Sequence, residues 1–265
     1  MRDIQNYSTN YNNDNFSFER KYQAKYRRKN LLKFLKKYPH NKILEIGCGM
    51  ESIVSFIDFY SEIDRFVIVE PSNKFYNSVK EQIKDLDKVT IVKGFFEDKL
   101  TVLKNYNFDF IIVSSLLHEV ENPDFFMSKL FQLANTGTII HINVPNAKSF
   151  HRILGVESGI YDNIYEKSKI NELLQQNSIF DLESLTTLIM NSAKSMEISV
   201  NVLNSGSYFI KPFTHFQMEM CLKNKIFDEN ILEGFNKMIK YFPENGSELF
   251  VNFKVNQKNV FKEQI

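Results

Sequence analysis

A chain of 265 residues with 43% hydrophobic and 25% charged residues has the composition of one large globular domain and excludes the disordered and fibrous classes. A formal charge of +1 excludes a protein that is basic throughout, so a nucleic-acid partner would have to be met locally. Two cysteines, Cys48 and Cys221, with no CxxC pair and no zinc spacing, leave no disulfide or metal framework and fit a reducing compartment.

Residues 1–15 are rich in Asn, Asp, Ser and Tyr and read as an arm that orders over something, a lid. They lack the apolar centre of a signal peptide, and no run approaches the roughly 20 apolar residues of a membrane span, which predicts a cytoplasmic protein. From residue 16 to 37 the chain has helical periodicity and a dense basic face: Arg20, Lys21, Lys25, Arg27, Arg28, Lys29, Lys33, Lys36 and Lys37. That face is either solvated or a surface for an acidic partner. Next come KILEI, a helix beginning near Glu51, FVIVE, a helix over 72–86 and VTIV. A short helix over 100–105, FDFIIV, a helix over 123–134 and GTIIHINV follow. Near-continuous Ile, Val and Phe suit strands covered on both faces, and strands separated by helices imply a parallel, doubly wound α/β sheet. Beyond Pro145 the spacing predicts a helix over 147–154, a loop through Tyr161, a polar stretch to Asn177 and a helix over 182–195. The strand MEISVNVL, an apolar insertion at 206–247 with a helix over 231–241, and the strand ELFVNFKV complete the chain.

In KILEIGCGMES the first strand turns through Gly47 and Gly49, which allow a tight turn and a close ligand approach, into a predicted helix start with unpaired N–H groups. Glu70 ends the next strand about 20 residues later, where a carboxylate accepts both hydroxyls of a ribose. A dinucleotide fold and an S-adenosylmethionine fold share that geometry. A dinucleotide fold, however, wants a small third residue after the second glycine, where Ser52 is a poor fit, and has no use for a carboxylate at position 45.

Glu45-Ile46-Gly47-Cys48-Gly49 resembles the first motif of class I S-adenosylmethionine methyltransferases. The resemblance implies that Glu45 supports the loop, that the backbone of Gly47, Cys48 and Gly49 passes the methionine moiety, and that Glu70, followed by Pro71, binds the ribose. Glu51 stands in place of the usual third glycine. Lys93-Gly94-Phe95-Phe96-Glu97-Asp98 matches the family's adenine region, with Phe95 where an Asp is common. Adenine recognition is then expected from the Phe96 amide and from Glu97 or Asp98. FDFIIVSSLLHEVENP is similar to the family's post-strand motif and brings Ser114 to the cofactor. The resemblance covers roughly residues 42–143 and implies a seven-stranded sheet with an antiparallel last strand. S-adenosylmethionine is the implied cofactor, S-adenosylhomocysteine the product, and no metal is expected.

His118, just after the fourth strand at the carboxyl edge of the sheet, is a candidate base for a hydroxyl or ammonium acceptor, with Glu119 its competitor and pocket lining its other reading. The chain has Ser114-Ser115-Leu116-Leu117 where methyltransferases of base amines carry Asn/Asp-Pro-Pro-Tyr/Phe, which argues against a nucleic-acid base as acceptor. Asn146, His151 and Arg152 follow the fifth strand, and a guanidinium there could clamp a phosphate or carboxylate. Tyr208, Lys211 and His215 lie in the insertion, Lys211 as a point charge for an anion. Tyr7, Tyr11 and Tyr208 could wall a pocket for a hydroxylated acceptor.

The expected organisation is an arm and basic helix over 1–37 acting as lid or cap, and a methyltransferase domain over 38–265 with acceptor-site insertions at 145–178 and 206–247. The expected function is methyl transfer to oxygen, with nitrogen second, of a small polar metabolite bearing phosphate or carboxylate, in a monomer or homodimer. The segment VPNAKSFHR is similar to one in methyltransferases of surface-polysaccharide pathways. The alternatives are an RNA methyltransferase steered by the basic helix and a non-catalytic S-adenosylmethionine-binding partner protein.

Overall fold

The computed structural model describes residues 3–11 and 17–258. Residues 1–2 and 12–15 of the predicted arm and residue 16 at the head of the predicted basic helix lie outside the described residues.

Seven strands form one sheet: β1 (Lys42–Ile46), β2 (Arg65–Glu70), β3 (Val89–Lys93), β4 (Phe110–Ser114), β5 (Ile139–Pro145), β6 (Ile198–Tyr208) and β7 (Glu248–Lys258). Their order is β3-β2-β1-β4-β5-β7-β6, and β7 runs antiparallel to both β5 and β6 while the other pairings are parallel. The order reverses between β1 and β4, so the crevice where open α/β sheets hold their ligands lies at the carboxyl ends of those strands.

Successive side chains of a strand point to opposite faces, and the hydrophobic runs divide accordingly. Leu44 and Ile46, Val67 and Val69, and Ile111 and Val113 belong to one core with Phe126 and Phe131 of α5 (Pro123–Leu133) and Leu185 of α8 (Leu182–Ser195). Ile43, Phe66, Ile68, Phe110 and Ile112 belong to the other, with Leu31, Phe34 and Leu35 of α2 (Ala24–Leu35) and Val79 of α3 (Asn73–Gln82). A third cluster joins Phe18 and Tyr26 to Tyr208, Phe209, Met218 and Leu232, and so fastens the N-terminal segment to the insertion.

Four departures from the sequence reading have identifiable causes. The helix predicted near Glu51 is absent. In its place are 3-10 turns over Ile53–Phe56 and Tyr60–Glu62, because β-branched Ile53 and Val54 are buried and α2 already covers that face of the sheet. The helix after β5, α6, spans Phe150–Glu157, since Asn146 first makes a bridge to Phe180. The polar stretch contains α7 (Lys169–Leu173) behind a Ser168/Asn171 capping box. In the insertion, β6 runs on to Tyr208 and is followed by α9 (His215–Lys223), whose Thr214/Gln217 capping box is the sequence signal for its start, and by α10 (Glu229–Lys237). The short α4 (Leu100–Leu103), α5, α8 and β7 begin where the sequence places them.

At the N-terminus, α1 (Ile4–Tyr11) bridges α3 and α7. Tyr7 and Tyr11 meet Phe75 edge to face at 6.3 and 6.2 Å, and the Asn10 amide donates to the Leu173 carbonyl at 3.2 Å. A π-helical turn over Glu19–Gln23 leads into α2. Much of the predicted basic face is turned onto acids of the same chain. Lys25 meets Glu229 at 3.3 Å, Arg28 meets Glu51 at 2.9 Å, Lys29 meets Glu233 at 3.1 Å and Lys36 meets Asp58 at 2.7 Å. No helix of the described residues is long and apolar enough to cross a membrane.

Candidate active site

The turn after β1 is shaped by its two glycines and a buried acid. Gly47 (φ 73°) and Gly49 (φ 63°) occupy left-handed backbone that other residues adopt at a cost. A Cβ on Gly47 would meet Leu116 at 3.2 Å, whereas the space beside Gly49 is open. Glu45 is 4% exposed; its carboxylate accepts from the Ser52 hydroxyl and, at 3.2 Å, from the Ile53 amide. Burial raises it to about 7. Glu45 therefore holds the loop from beneath, and the amide the sequence reading left unpaired at a helix start is taken by this carboxylate.

Glu70 ends β2, also 4% exposed, and accepts from the Ser72 amide at 2.8 Å and the Gly49 amide at 3.3 Å, with the Cys48 thiol at 3.7 Å. Burial raises its carboxyl to about 7 and pushes the Cys48 thiol well above its ordinary value. A carboxylate has about four acceptor sites, and the two strong amide bonds leave room for two further donors. A vicinal diol is such a pair, so these residues fit the ribose of S-adenosylmethionine.

Glu70 borders a cavity of about 630 Å³ that Gly47, Cys48, Gly49, Pro71 and Phe75 line at one end and His151, Lys211 and His215 at the other. That volume suits a small-molecule site. Tyr7 and Tyr11 of α1 line it too. None of the predicted adenine contacts, Phe96, Glu97 and Asp98, is among the lining residues: the Phe96 ring is 2% exposed in the core, 5.2 Å from Phe126, and burial raises the Glu97 carboxyl. Phe75 of α3, which no motif singles out, lines the cavity together with Glu70.

In the middle of the cavity, the Ser114 hydroxyl donates to the Asn143 side-chain carbonyl at 2.7 Å. His118 and Glu119 are 3% and 5% exposed and line the cavity, with His118 Nε2 and Glu119 Oε1 3.8 Å apart. The His118 carbonyl accepts from the amides of Asn177 and Ser178 at 2.8 and 3.0 Å, and the Asn177 side chain donates to the Glu119 carbonyl at 2.9 Å. The loop before α8 thus pins both residues against the cavity.

On the acceptor side the sequence candidates separate. Asn146 borders the cavity, but its amide donates to the carbonyls of Glu244 and Gly246 at 2.8 and 2.9 Å and its oxygen accepts from the Lys148 amide at 2.9 Å, so it fastens the insertion. Arg152 donates to the carbonyls of Ile164 and Glu166 and lies 5.4 Å over the Tyr161 ring. Its guanidinium closes the loop after α6 and is not a free anion clamp. Tyr208 is not among the lining residues, and its hydroxyl donates to Glu248. Lys211, 4% exposed, does line it; burial lowers its ammonium to about 7 against the opposing pull of Glu19 and Glu248. Burial, with the Lys211 charge next in size, holds the imidazoles of His151 and His215 well below their ordinary value.

Behind this end lies a charge cluster. Glu248 is 0% exposed and receives Arg27 Nε at 2.9 Å, Gln23 at 2.7 Å, Asn143 at 2.6 Å and the Tyr208 hydroxyl. Arg27 also meets Glu19 at 2.6 Å, and Glu19 accepts from the Tyr11 hydroxyl at 2.5 Å. Among the described residues no group of three or more His, Cys, Asp or Glu is placed to hold a metal ion.

The methyltransferase domain family matches residues 18–193. The plantazolicin methyltransferase BamL, solved with S-adenosylhomocysteine, is 16% identical, with 92% of this chain and 89% of that chain covered at a TM-score of 0.58. The N-methyltransferase NodS from Bradyrhizobium japonicum, also solved with S-adenosylhomocysteine, is 10% identical, with 95% and 97% covered at 0.53. A methyltransferase dependent on S-adenosylmethionine from Thermotoga maritima is 16% identical, with 90% and 91% covered at 0.55. No curated protein sequence matches the chain.

Proposed function

Because this chain belongs to the methyltransferase domain family and uses S-adenosylmethionine, we propose that it methylates an oxygen, with nitrogen second, of a small polar metabolite that carries a carboxylate or phosphate. What supports the reading is that Gly49, Glu70, His118, Glu119 and Lys211 all line one cavity. The cofactor supplies a sulfonium methyl group, and its in-line transfer depends on positioning and exclusion of water more than on covalent help. Glu70 grips the ribose, Gly47, Cys48 and Gly49 let the methionine moiety pass, and Pro71 and Ser114 complete that wall. His118 takes the proton of the acceptor, with Glu119 its competitor, and Lys211 and His151 face the rest of the acceptor.

In the same reading residues 1–37 act as a lid or cap on a catalytic domain over 38–265, supported by Tyr7 and Tyr11 at the cavity, and the insertions at 145–178 and 206–247 shape the acceptor side. A cytoplasmic monomer or homodimer and a role in surface-polysaccharide biosynthesis belong to the proposal, the latter resting on the VPNAKSFHR segment alone.

The test is a screen of carboxylated and phosphorylated metabolites for acceptor-dependent formation of S-adenosylhomocysteine. Turnover with any of them eliminates a non-catalytic binding partner; S-adenosylmethionine binding without turnover on a broad panel would sink the proposal in its favour. His118→Ala is expected to lower turnover roughly tenfold or more while cofactor affinity stays within about twofold, and an unchanged rate removes the base role.

A further inference from the structure

We infer that the end of the cavity at Lys211, Ser149, Ser247 and His151 is a carboxylate-binding subsite that holds the acceptor by its anion, an inference that rests on the methyl-transfer reading above. Lys211, Ser149 and Ser247 are 4%, 1% and 3% exposed, and all four residues line the cavity. Three elements bring them together. Ser149 precedes α6 and His151 lies in its first turn, Lys211 follows β6, and Ser247 precedes β7. The His151 amide donates to the Lys211 carbonyl and the Asn146 amide to the Ser247 carbonyl, both at 3.1 Å, so the backbone sets their spacing.

Their side chains are left without partners. The hydroxyls of Ser149 and Ser247 and Nδ1 of His151 are buried with no hydrogen-bond partner among the described residues. Ser149 occupies the N-cap position of α6 yet makes no capping bond. Buried polar atoms without partners are rare and costly, and three of them on residues that line one cavity with a buried ammonium imply a ligand that accepts hydrogen bonds. An oxyanion takes all of these donors at once, with His151 in the tautomer or protonation state that donates from Nδ1.

The donors left over favour a single negative charge. Arg27 is paired with Glu19 and Glu248, whereas no hydrogen bond or ion pair to the Lys211 ammonium is found among the described residues. Lys211 is thus the lining cation with donors to spare, the Arg152 guanidinium being engaged by the carbonyls of Ile164 and Glu166, and one ammonium matches a carboxylate better than a phosphate dianion.

The charged and titratable groups around Lys211 and the two imidazoles are Glu19 before α2, Arg27 of α2, Glu248 of β7, His151 and Arg152 of α6 and His215 of α9. Burial lowers Lys211 to about 7 and keeps both imidazoles neutral, while an incoming anion favours their charged forms. Binding above pH 7 therefore draws a proton onto the site.

The experiment is calorimetry on the full chain saturated with S-adenosylhomocysteine, at pH 7.5 in two buffers of different ionisation enthalpy, with sodium acetate, inorganic phosphate and acetamide as probes. Acetate is expected to bind at least roughly tenfold tighter than acetamide, tighter than phosphate, and with net proton uptake. Lys211→Met is expected to lower acetate affinity at least roughly tenfold and abolish the uptake, with S-adenosylhomocysteine affinity within about twofold. Acetate binding no tighter than acetamide, or unchanged in Lys211→Met, overturns the subsite, and phosphate binding tighter than acetate overturns the carboxylate assignment. If Lys211→Met does not fold, Ser149→Ala/Ser247→Ala decides: an acetate affinity lowered roughly threefold or more supports the subsite and an unchanged one overturns it. Failure of the wild type to bind S-adenosylhomocysteine overturns the methyl-transfer reading instead, and the same probes on the unliganded chain still report on the subsite.

Discussion

Glu70→Ala is expected to weaken S-adenosylmethionine binding by roughly 100-fold or more and to abolish turnover at ordinary cofactor concentrations, because a hydrogen bond to a charged group contributes about 1.5–3 kcal/mol and the proposed ribose grip consists of two to this carboxylate. The substitution also removes the acceptor for the Gly49 and Ser72 amides, so the glycine turn loses its anchor as well as the ribose its grip. Calorimetry with S-adenosylmethionine and with NAD on wild type and variant checks it. Tight NAD binding with no response to S-adenosylmethionine contradicts the cofactor assignment, and equal S-adenosylmethionine affinity in both proteins removes Glu70 from the site.

The same carboxylate sets a pH dependence. Burial raises Glu70 from 4.5 to about 7 in the folded chain, so protonation weakens its acceptor role and cofactor affinity falls as pH drops through about 7. Stability of the cofactor-free chain moves the other way. A carboxyl raised on folding contributes stability that is complete below 4.5 and is lost as pH rises toward about 7, and Glu45 adds in the same sense. Thermal melts from pH 5.5 to 8 with and without cofactor should show the two trends opposed for these groups, the cofactor-induced rise being largest at the alkaline end.

Arg27→Ala is expected to cost about 3–5 kcal/mol of stability, the range for leaving a buried charge without its partner, and to lower Tm by about 5–9 °C. Glu248 is 0% exposed and loses its ion-pair partner in this variant, while Glu19 loses the same guanidinium. Glu248→Gln is expected to cost less, because Arg27 keeps Glu19 and the amide oxygen still accepts from Gln23 or Asn143. Equal melting temperatures for wild type and Arg27→Ala would refute the assignment. Arg27 holds Glu248 below its ordinary value of 4.5 against the burial that opposes it, so this contribution is present above 4.5 and is lost as pH falls through the lower folded value.

Arg27 therefore says nothing about RNA, although its charge is part of the basic face. Exposed Lys33 and Lys37 are the residues to reverse. If Lys33→Glu/Lys37→Glu abolishes a salt-sensitive RNA affinity without lowering Tm, the small-molecule reading fails; no such binding is expected from a face whose Lys25, Arg28, Lys29 and Lys36 already meet acids of the chain.

What the sequence by itself determined lies where local pattern and local chemistry coincide. Continuous apolar runs bounded by Gly47, Gly49 and Glu70 are sufficient for a parallel sheet with a glycine turn and a carboxylate at the strand ends, because a strand buried on both faces cannot alternate and a turn at positive φ favours glycine. His118 and Glu119 reached the cavity for the same reason: they directly follow β4, and the carboxyl edge of such a sheet is where ligands sit. Only the tertiary structure decided the other end of the pocket. Whether Arg152, Tyr208 and Asn146 face a ligand depends on the carbonyls of Ile164 and Glu166, the carboxylate of Glu248 and the backbone of Glu244, whose positions no local pattern encodes. Arg27 and Glu248 stand 221 residues apart. A charged side chain reads alike in sequence whether water or a buried acid surrounds it, and desolvation, which separates the two cases, is a property of the packed chain.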